Sequence, residues 1–218
     1  MDGIRQMSDP SDMSRMTTAQ WIRSEMESLA ELRESEITHL EEAFSFDDIP
    51  PKAKKKADLF LGRMQPIHLG HIKIIKKMKN PIVVLVKGAA SSKDKSRNPL
   101  SADDQIKLLK KSVPSVRIVI AANGYLPAIF GDMRKQGFEI ETLFAGADRL
   151  SDYERQVKGA NAKLGADAQF STKFKETERF TSATTVRNAI RTGDEALFKK
   201  LMPKELHSEF KWLQGKLS

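Results

Sequence analysis

The chain contains no cysteine, which rules out disulfides and thiolate-bound zinc. No apolar run approaches the ~20 residues of a membrane-spanning helix; the longest, PIVVLV at 81–86, has the size of a strand. The opening stretch MDGIRQMSDPSDMS has no apolar core and carries acidic residues, so neither a signal nor a transit peptide is expected there. With the missing cysteines, this points to a cytoplasmic protein. Tryptophan and tyrosine number two each, and no nucleic-acid motif or basic run interleaved with aromatics occurs. Internal repeats and low-complexity tracts are absent too.

What is present is unevenly distributed. Residues 1–50 hold four arginines, no lysine and twelve acids, a net charge of −8, so the remainder of a chain with net charge +8 carries +16. A basic body of this kind attracts nucleic acid, acidic membranes or phosphorylated small molecules. Composition alone does not choose among them, and 218 residues suffice for one full hydrophobic core with a smaller appendage.

Residues 1–16 lack periodicity, and disorder is expected there. Thr17 and Gln20 read as a capping box. Trp21, Met26, Leu29, Leu32, Ile37, Leu40 and Phe44 then recur at helical spacing, and DDIPPKAKKK at 47–56 reads as a proline-terminated linker with solvated lysines. Residues 1–56 are therefore expected to be an acidic extension, and residues 57–218 the body. There, ADLFLG, PIVVLV, RIVIAA and ETLFAG read as strands, alternating with helices at HIKIIKKM, SADDQIKLLKKS and LPAIFGDMRKQG. Short apolar strands alternating with helices imply an α/β, Rossmann-like, doubly wound parallel sheet. A helical segment from about 176 to 218 follows.

GRMQPIHLGH, residues 62–71, interrupts this regularity at the end of the first strand. Ligands of such sheets bind beyond the carboxyl ends of the strands. His68 and His71 straddle a helix start at i, i+3 and so share one side of it. Gly70 leaves the backbone between them open to a ligand, and Pro66 stiffens the loop. A helix N-terminus attracts phosphate and should keep both imidazoles neutral, as hydrogen-bond donors. The plain alternative is a capping histidine beside a packed one; Arg63, His68, Gly70 and His71 together at one strand end favour a site.

These residues carry a resemblance. GRMQPIHLGH resembles the GRFQPxHxGH signature of the HxGH nucleotidylyltransferase superfamily, most closely its archaeal-type nicotinamide-mononucleotide adenylyltransferases. KSRNPLSADDQ (95–105), FAGAD (144–148), TSATTVRNAI (181–190) and GDEALFKKLMP (193–203) resemble its later segments in order. The resemblance implies transfer of AMP from ATP to a phosphorylated, mononucleotide-like acceptor, with nicotinamide mononucleotide as the first candidate. It assigns the reaction to His68, His71, Arg97 and Arg187. Nucleotide contacts fall to Gly62, Arg63, Met64, Gly70, Gly146, Asp148, Ser182 and Thr184. Mg2+ is expected with ATP, held mostly by the phosphates, with no metal ligand from the protein. Relatives form symmetric oligomers, so a homo-oligomer is expected.

Each of these positions has a plainer reading. Ser182 or Thr184 could be only a helix cap, Arg97 a loop charge, and Arg187 a surface residue. Lys73, Lys76 and Lys77 read as a solvated helix face, and His39 and His207 lack convergent partners. The sequence also departs from the family pattern. Asp104 and Gln105 replace a Glu-Arg pair, Ile129 or Phe130 stands nearest a missing ring-stacking tryptophan, and Gly146-Ala147-Asp148 replaces a Ser-Gly-Asn end. Phe130 remains able to stack on a flat ring. Cytidylyl transfer, adenylyl transfer to flavin or pantetheine phosphates, and a non-catalytic nucleotide-binding module stay open. The acidic helix is expected to dock on the basic body or on a partner protein.

Overall fold

The computed structural model describes residues 44–87, 95–178 and 181–217. The capping box at Thr17, the apolar stripe from Trp21 to Leu40, and the docking expected of them lie outside the described residues. The elements that follow belong to one unit running from Ser45.

Five strands form one parallel sheet: β1 (Lys55–Gly62), β2 (Ile82–Val86), β3 (Arg117–Ala121), β4 (Phe138–Ala145) and β5 (Lys173–Glu176), in the order β3-β2-β1-β4-β5. The first connections run outward from β1 through β2 to β3; the chain then crosses back to place β4 on the other side of β1. That reversal opens a crevice above the carboxyl ends of β1 and β4, where doubly wound sheets bind ligands. Phe60 pairs with Phe144 across these strands, and continuing the register sets Gly62 beside Gly146 at the mouth of the crevice.

Helices α1 (Leu69–Ile75), α2 (Ala102–Ser112), α3 (Leu126–Lys135) and α4 (Ala147–Asn161) connect the strands. Helices α5 (Ala183–Arg191), α6 (Glu195–Leu201) and α7 (Phe210–Leu217) close the chain, with a 3-10 turn at Lys204–Glu209. Val83, Leu85 and Phe60 from the sheet, Ile72 and Ile75 from α1, Leu108 and Leu109 from α2, and Val186, Ile190, Phe198, Phe210 and Leu213 from the C-terminal helices form one core cluster. Each such side chain taken fully out of water stabilises the fold by roughly 1.5–3 kcal/mol. This shared core brings the start of α5 and the start of α1 to the same end of the sheet.

Several expectations need correction. Lys55 and Lys56 are strand residues of β1, paired with Phe138 and Glu139, and Lys56 forms an ion pair with Glu141 at 3.0 Å. The supposed linker before them also lies against the body: Ile49 is buried, Ala53 donates to Glu139 Oε2 at 3.2 Å and Arg134 Nη1 donates to the Pro50 carbonyl at 3.2 Å. Helix α1 starts two residues before His71 and stops at Ile75; Asn80, at φ 45°, then turns the chain into β2. Helix α4 and strand β5 had no counterpart in the sequence reading. The strand is only four residues, KFKE, with every side chain exposed except a half-buried Phe174, so its pairing with β4 rather than its composition makes it a strand.

Candidate nucleotide site

The loop between β1 and α1 is pinned by two glutamines. Gln65, itself buried, pairs through its amide with the backbone of Leu100: Nε2 donates to the carbonyl and Oε1 accepts from the N–H, both at 2.9 Å. Gln105, also buried, donates through Nε2 to the carbonyls of Arg63 and of Met64, the latter at 3.0 Å. Met64 is held at φ 46°, a region costly for a side chain-bearing residue, and a cis bond joins Gln65 to Pro66. The segments around 62–71 and 97–105 are thus locked to each other.

The third segment joins at the same point. Arg187, one turn into α5, is buried; its Nη1 donates to the Gln65 carbonyl at 2.7 Å and its Nη2 to Thr184 Oγ1 at 3.1 Å. Ser182 caps α5, accepting from the Thr185 N–H at 3.1 Å and sharing a 2.9 Å hydrogen bond with the Thr185 hydroxyl. The hydroxyls of Ser182 and Thr184 therefore have local structural work, and the guanidinium holds the histidine loop.

The two imidazoles are stacked, with ring centroids 3.7 Å apart and planes inclined by 21°. His68 is buried. Its backbone N–H donates to His71 Nδ1 at 3.3 Å, which makes Nδ1 an acceptor and puts the proton of a neutral His71 on Nε2. Burial first, and the neighbouring His68 second, push the His71 pKa well below its usual value. His71 is thus a neutral donor of fixed tautomer.

A Cβ on Gly70 would lie 3.0 Å from His68 Cε1 and 3.1 Å from its Nδ1, with Thr181 Cγ2 at 3.9 Å, so the missing side chain leaves room for the His68 ring.

Gly62 ends β1, and Gly146 precedes α4 as its N-cap. Asp148 folds its carboxylate back over Gly146, Oδ1 lying 2.7 Å from where a Cβ would be. A carboxylate at that helix start disfavours a phosphate and favours a hydroxyl donor. Arg63 is exposed at the rim, and Arg97 is exposed on the turn three residues before Leu100. Arg191 Nη2 reaches the carbonyl of the adjacent Ser96 at 3.3 Å, linking that turn to α5. Lys73, Lys76 and Lys77 are exposed, as expected.

One assignment on the acceptor side fails. Phe130 is 1% exposed and meets Phe170 edge-on at 5.2 Å between centroids, so it is core and no platform for a ring. The sequence reading also passed over Lys87, which directly follows β2 and donates to the Leu100 carbonyl at 3.0 Å. A cation at the carboxyl end of an apolar strand was the signal available. Gln105, a departure from the family pattern, holds the loop.

Residues 59–189 match the family model described as cytidylyltransferase-like. The phosphopantetheine adenylyltransferase of Campylobacter curvus is 28% identical over 166 residues, covering 72% of this chain and 99% of that protein. The nicotinamide-nucleotide adenylyltransferase of Sulfurisphaera tokodaii is 23% identical over 164 residues, covering 72% of this chain and 91% of that protein. The Halobacterium salinarum protein of the same name is 32% identical over 65 residues, 29% of this chain and 37% of that protein.

Proposed function

The chain belongs to the cytidylyltransferase-like family, and from that premise we propose that it transfers the AMP moiety of ATP to a phosphorylated, mononucleotide-like acceptor, nicotinamide mononucleotide before others. An oxygen of the acceptor phosphate attacks the α-phosphorus in line, the bond from that phosphorus to the bridging oxygen breaks, and pyrophosphate leaves. Such a reaction asks the protein for position and for donors aimed at growing negative charge. The stacked pair His68–His71 is the observation that carries the reading. His71 presents a neutral Nε2–H on an imidazole whose other nitrogen is fixed by the His68 N–H, and Arg187 holds the loop that carries both rings.

In this reading His68 and His71 hold the α- and β-phosphates, and the start of α5 with Arg187 lies along the β- and γ-phosphates. Arg97 supplies a further phosphate contact, the backbone of Gly62, Arg63 and Met64 lies along the nucleotide, and Asp148 accepts from a substrate hydroxyl. Among the described residues no three of His, Asp and Glu converge as a metal cage, and magnesium enters as part of the triphosphate substrate. No helix among the described residues is long and apolar enough to cross a membrane.

The burial of Phe130 favours a second acceptor. A flat nicotinamide ring finds no platform at that position, whereas an aliphatic phosphate such as phosphopantetheine needs none, and the Campylobacter curvus relative is matched over nearly its whole length. Pyrophosphate release with each nucleoside triphosphate, against nicotinamide mononucleotide, phosphopantetheine, flavin mononucleotide and phosphocholine, tests both readings. Turnover with ATP and one of the first two is expected; turnover with CTP alone, or with no pair, overturns the proposal.

A further inference from the structure

We propose that Lys87 is a substrate-contacting cation of this site, its ammonium binding a phosphoryl oxygen of the phosphorylated substrates; the inference rests on the adenylyl-transfer reading above. β2 pairs with β1 at Leu85 and Gly62, so Lys87, two residues further on, leaves the sheet beside the loop that carries the histidines. Its own N–H extends the β2–β3 pairing by donating to the Ala121 carbonyl at 2.8 Å, which fixes where the side chain begins. The side chain then reaches the Leu100 carbonyl at 3.0 Å, the same oxygen that accepts from Gln65 Nε2.

That bond leaves the ammonium incompletely satisfied. A lysine head has three donors, and among the described residues the Leu100 carbonyl is the one acceptor in hydrogen-bond contact with it. The residue is half-buried. Asp104 attracts it from a distance, but the Asp104 carboxylate is already joined to Lys216 at 3.1 Å and to the Ser101 N–H at 3.1 Å. Lys95 repels it, and burial together with that repulsion lowers its pKa from the usual lysine value. Withdrawing a charge from water favours a partner for it. An ammonium next to the histidine loop, with donors to spare and, among the described residues, no carboxylate in contact with it, is completed by a phosphate oxygen of the ligand.

The phosphate belongs either to ATP or to the acceptor, and two measurements separate them. The full chain is titrated calorimetrically with a non-hydrolysable ATP analogue and magnesium, and steady-state KM is measured for the acceptor that turns over, in wild type, Lys87→Gln and Lys87→Arg. Glutamine keeps a donor for the Leu100 carbonyl and removes the charge; arginine keeps the charge. Lys87→Gln is expected to weaken by about tenfold or more either analogue binding or acceptor KM, the affected quantity naming the phosphate, while Lys87→Arg recovers most of the loss. Melting temperatures identify any variant that has lost its fold, in which case Lys87→Met and the arginine variant decide on the same two readouts. Glutamine and wild-type proteins with equal affinity, KM and kcat would overturn the role of Lys87 and leave the reaction standing. A wild-type protein that neither binds the analogue nor turns over would instead overturn the adenylyl-transfer reading.

Discussion

Arg187 Nη1 lies 2.7 Å from the carbonyl of Gln65, 122 residues away in sequence. This bond ties α5 to the loop between β1 and α1, so one side chain positions both imidazoles relative to the start of α5. Arg187→Ala removes a buried, charge-assisted hydrogen bond and leaves the Gln65 carbonyl without that donor. A loss of about 1.5–3 kcal/mol in urea unfolding is expected, with at least a tenfold fall in kcat/KM. Arg187→Lys is expected to recover stability better than activity, because it keeps one donor and loses the fork that also reaches Thr184.

Gln105 makes a similar link from α2. Gln105→Leu keeps the volume and withdraws the donor from the carbonyls of Arg63 and Met64, which are then buried without it. Destabilisation of about 1–3 kcal/mol is expected. Release of Met64 from φ 46° should also raise KM for ATP more than it lowers kcat. Equal kinetics in a destabilised protein would show that the loop keeps its shape unaided.

These two residues show what the sequence disclosed and what it did not. Strands β1 to β4 and their parallel, doubly wound arrangement follow from the alternation of apolar runs with polar helices, and the HxGH stretch pointed to the crevice because it sits at a strand end. β5 escaped because an edge strand of KFKE buries too little to have an apolar pattern. Gln65, Gln105 and Lys87 escaped for another reason. Their importance lies in backbone carbonyls contributed by distant segments, and carbonyls leave no trace in residue type. Phe130 misled because an aromatic residue reads the same whether it packs a core or faces a ligand.

Gly70→Ala places a methyl group 3.0–3.1 Å from the His68 ring, tighter than ordinary packing allows. The ring must move, and it is stacked on His71. A fall in kcat of about two- to tenfold is expected for a displacement of a few tenths of an ångström at a group placed for reaction, with only a small change in melting temperature. Unchanged kcat would mean that the His68 ring position does not matter to the reaction.

Burial and His68 lower the pKa of His71 in the folded protein. Below about pH 6.5 the unfolded chain takes up a proton that the native protein refuses, so unfolding gains protons and stability falls. The contribution is therefore whole above the unfolded value, is lost as pH drops from there toward the lowered native pKa, and changes no further below that. Urea midpoints of wild type and His71→Asn measured between pH 8 and pH 5 should diverge in this window, the wild type losing more. Parallel curves would show that His71 titrates normally.

The central claim is that a stacked, neutral histidine pair serves the departure of pyrophosphate from the α-phosphorus of ATP. Single-turnover pyrophosphate release by wild type and His71→Ala, at saturating ATP and acceptor, measures it most directly. The account predicts a fall of about 10²–10³ in rate, of the size seen when one preorganised donor is removed, with nucleotide binding and fold retained. A folded His71→Ala protein releasing pyrophosphate at the wild-type rate would contradict it.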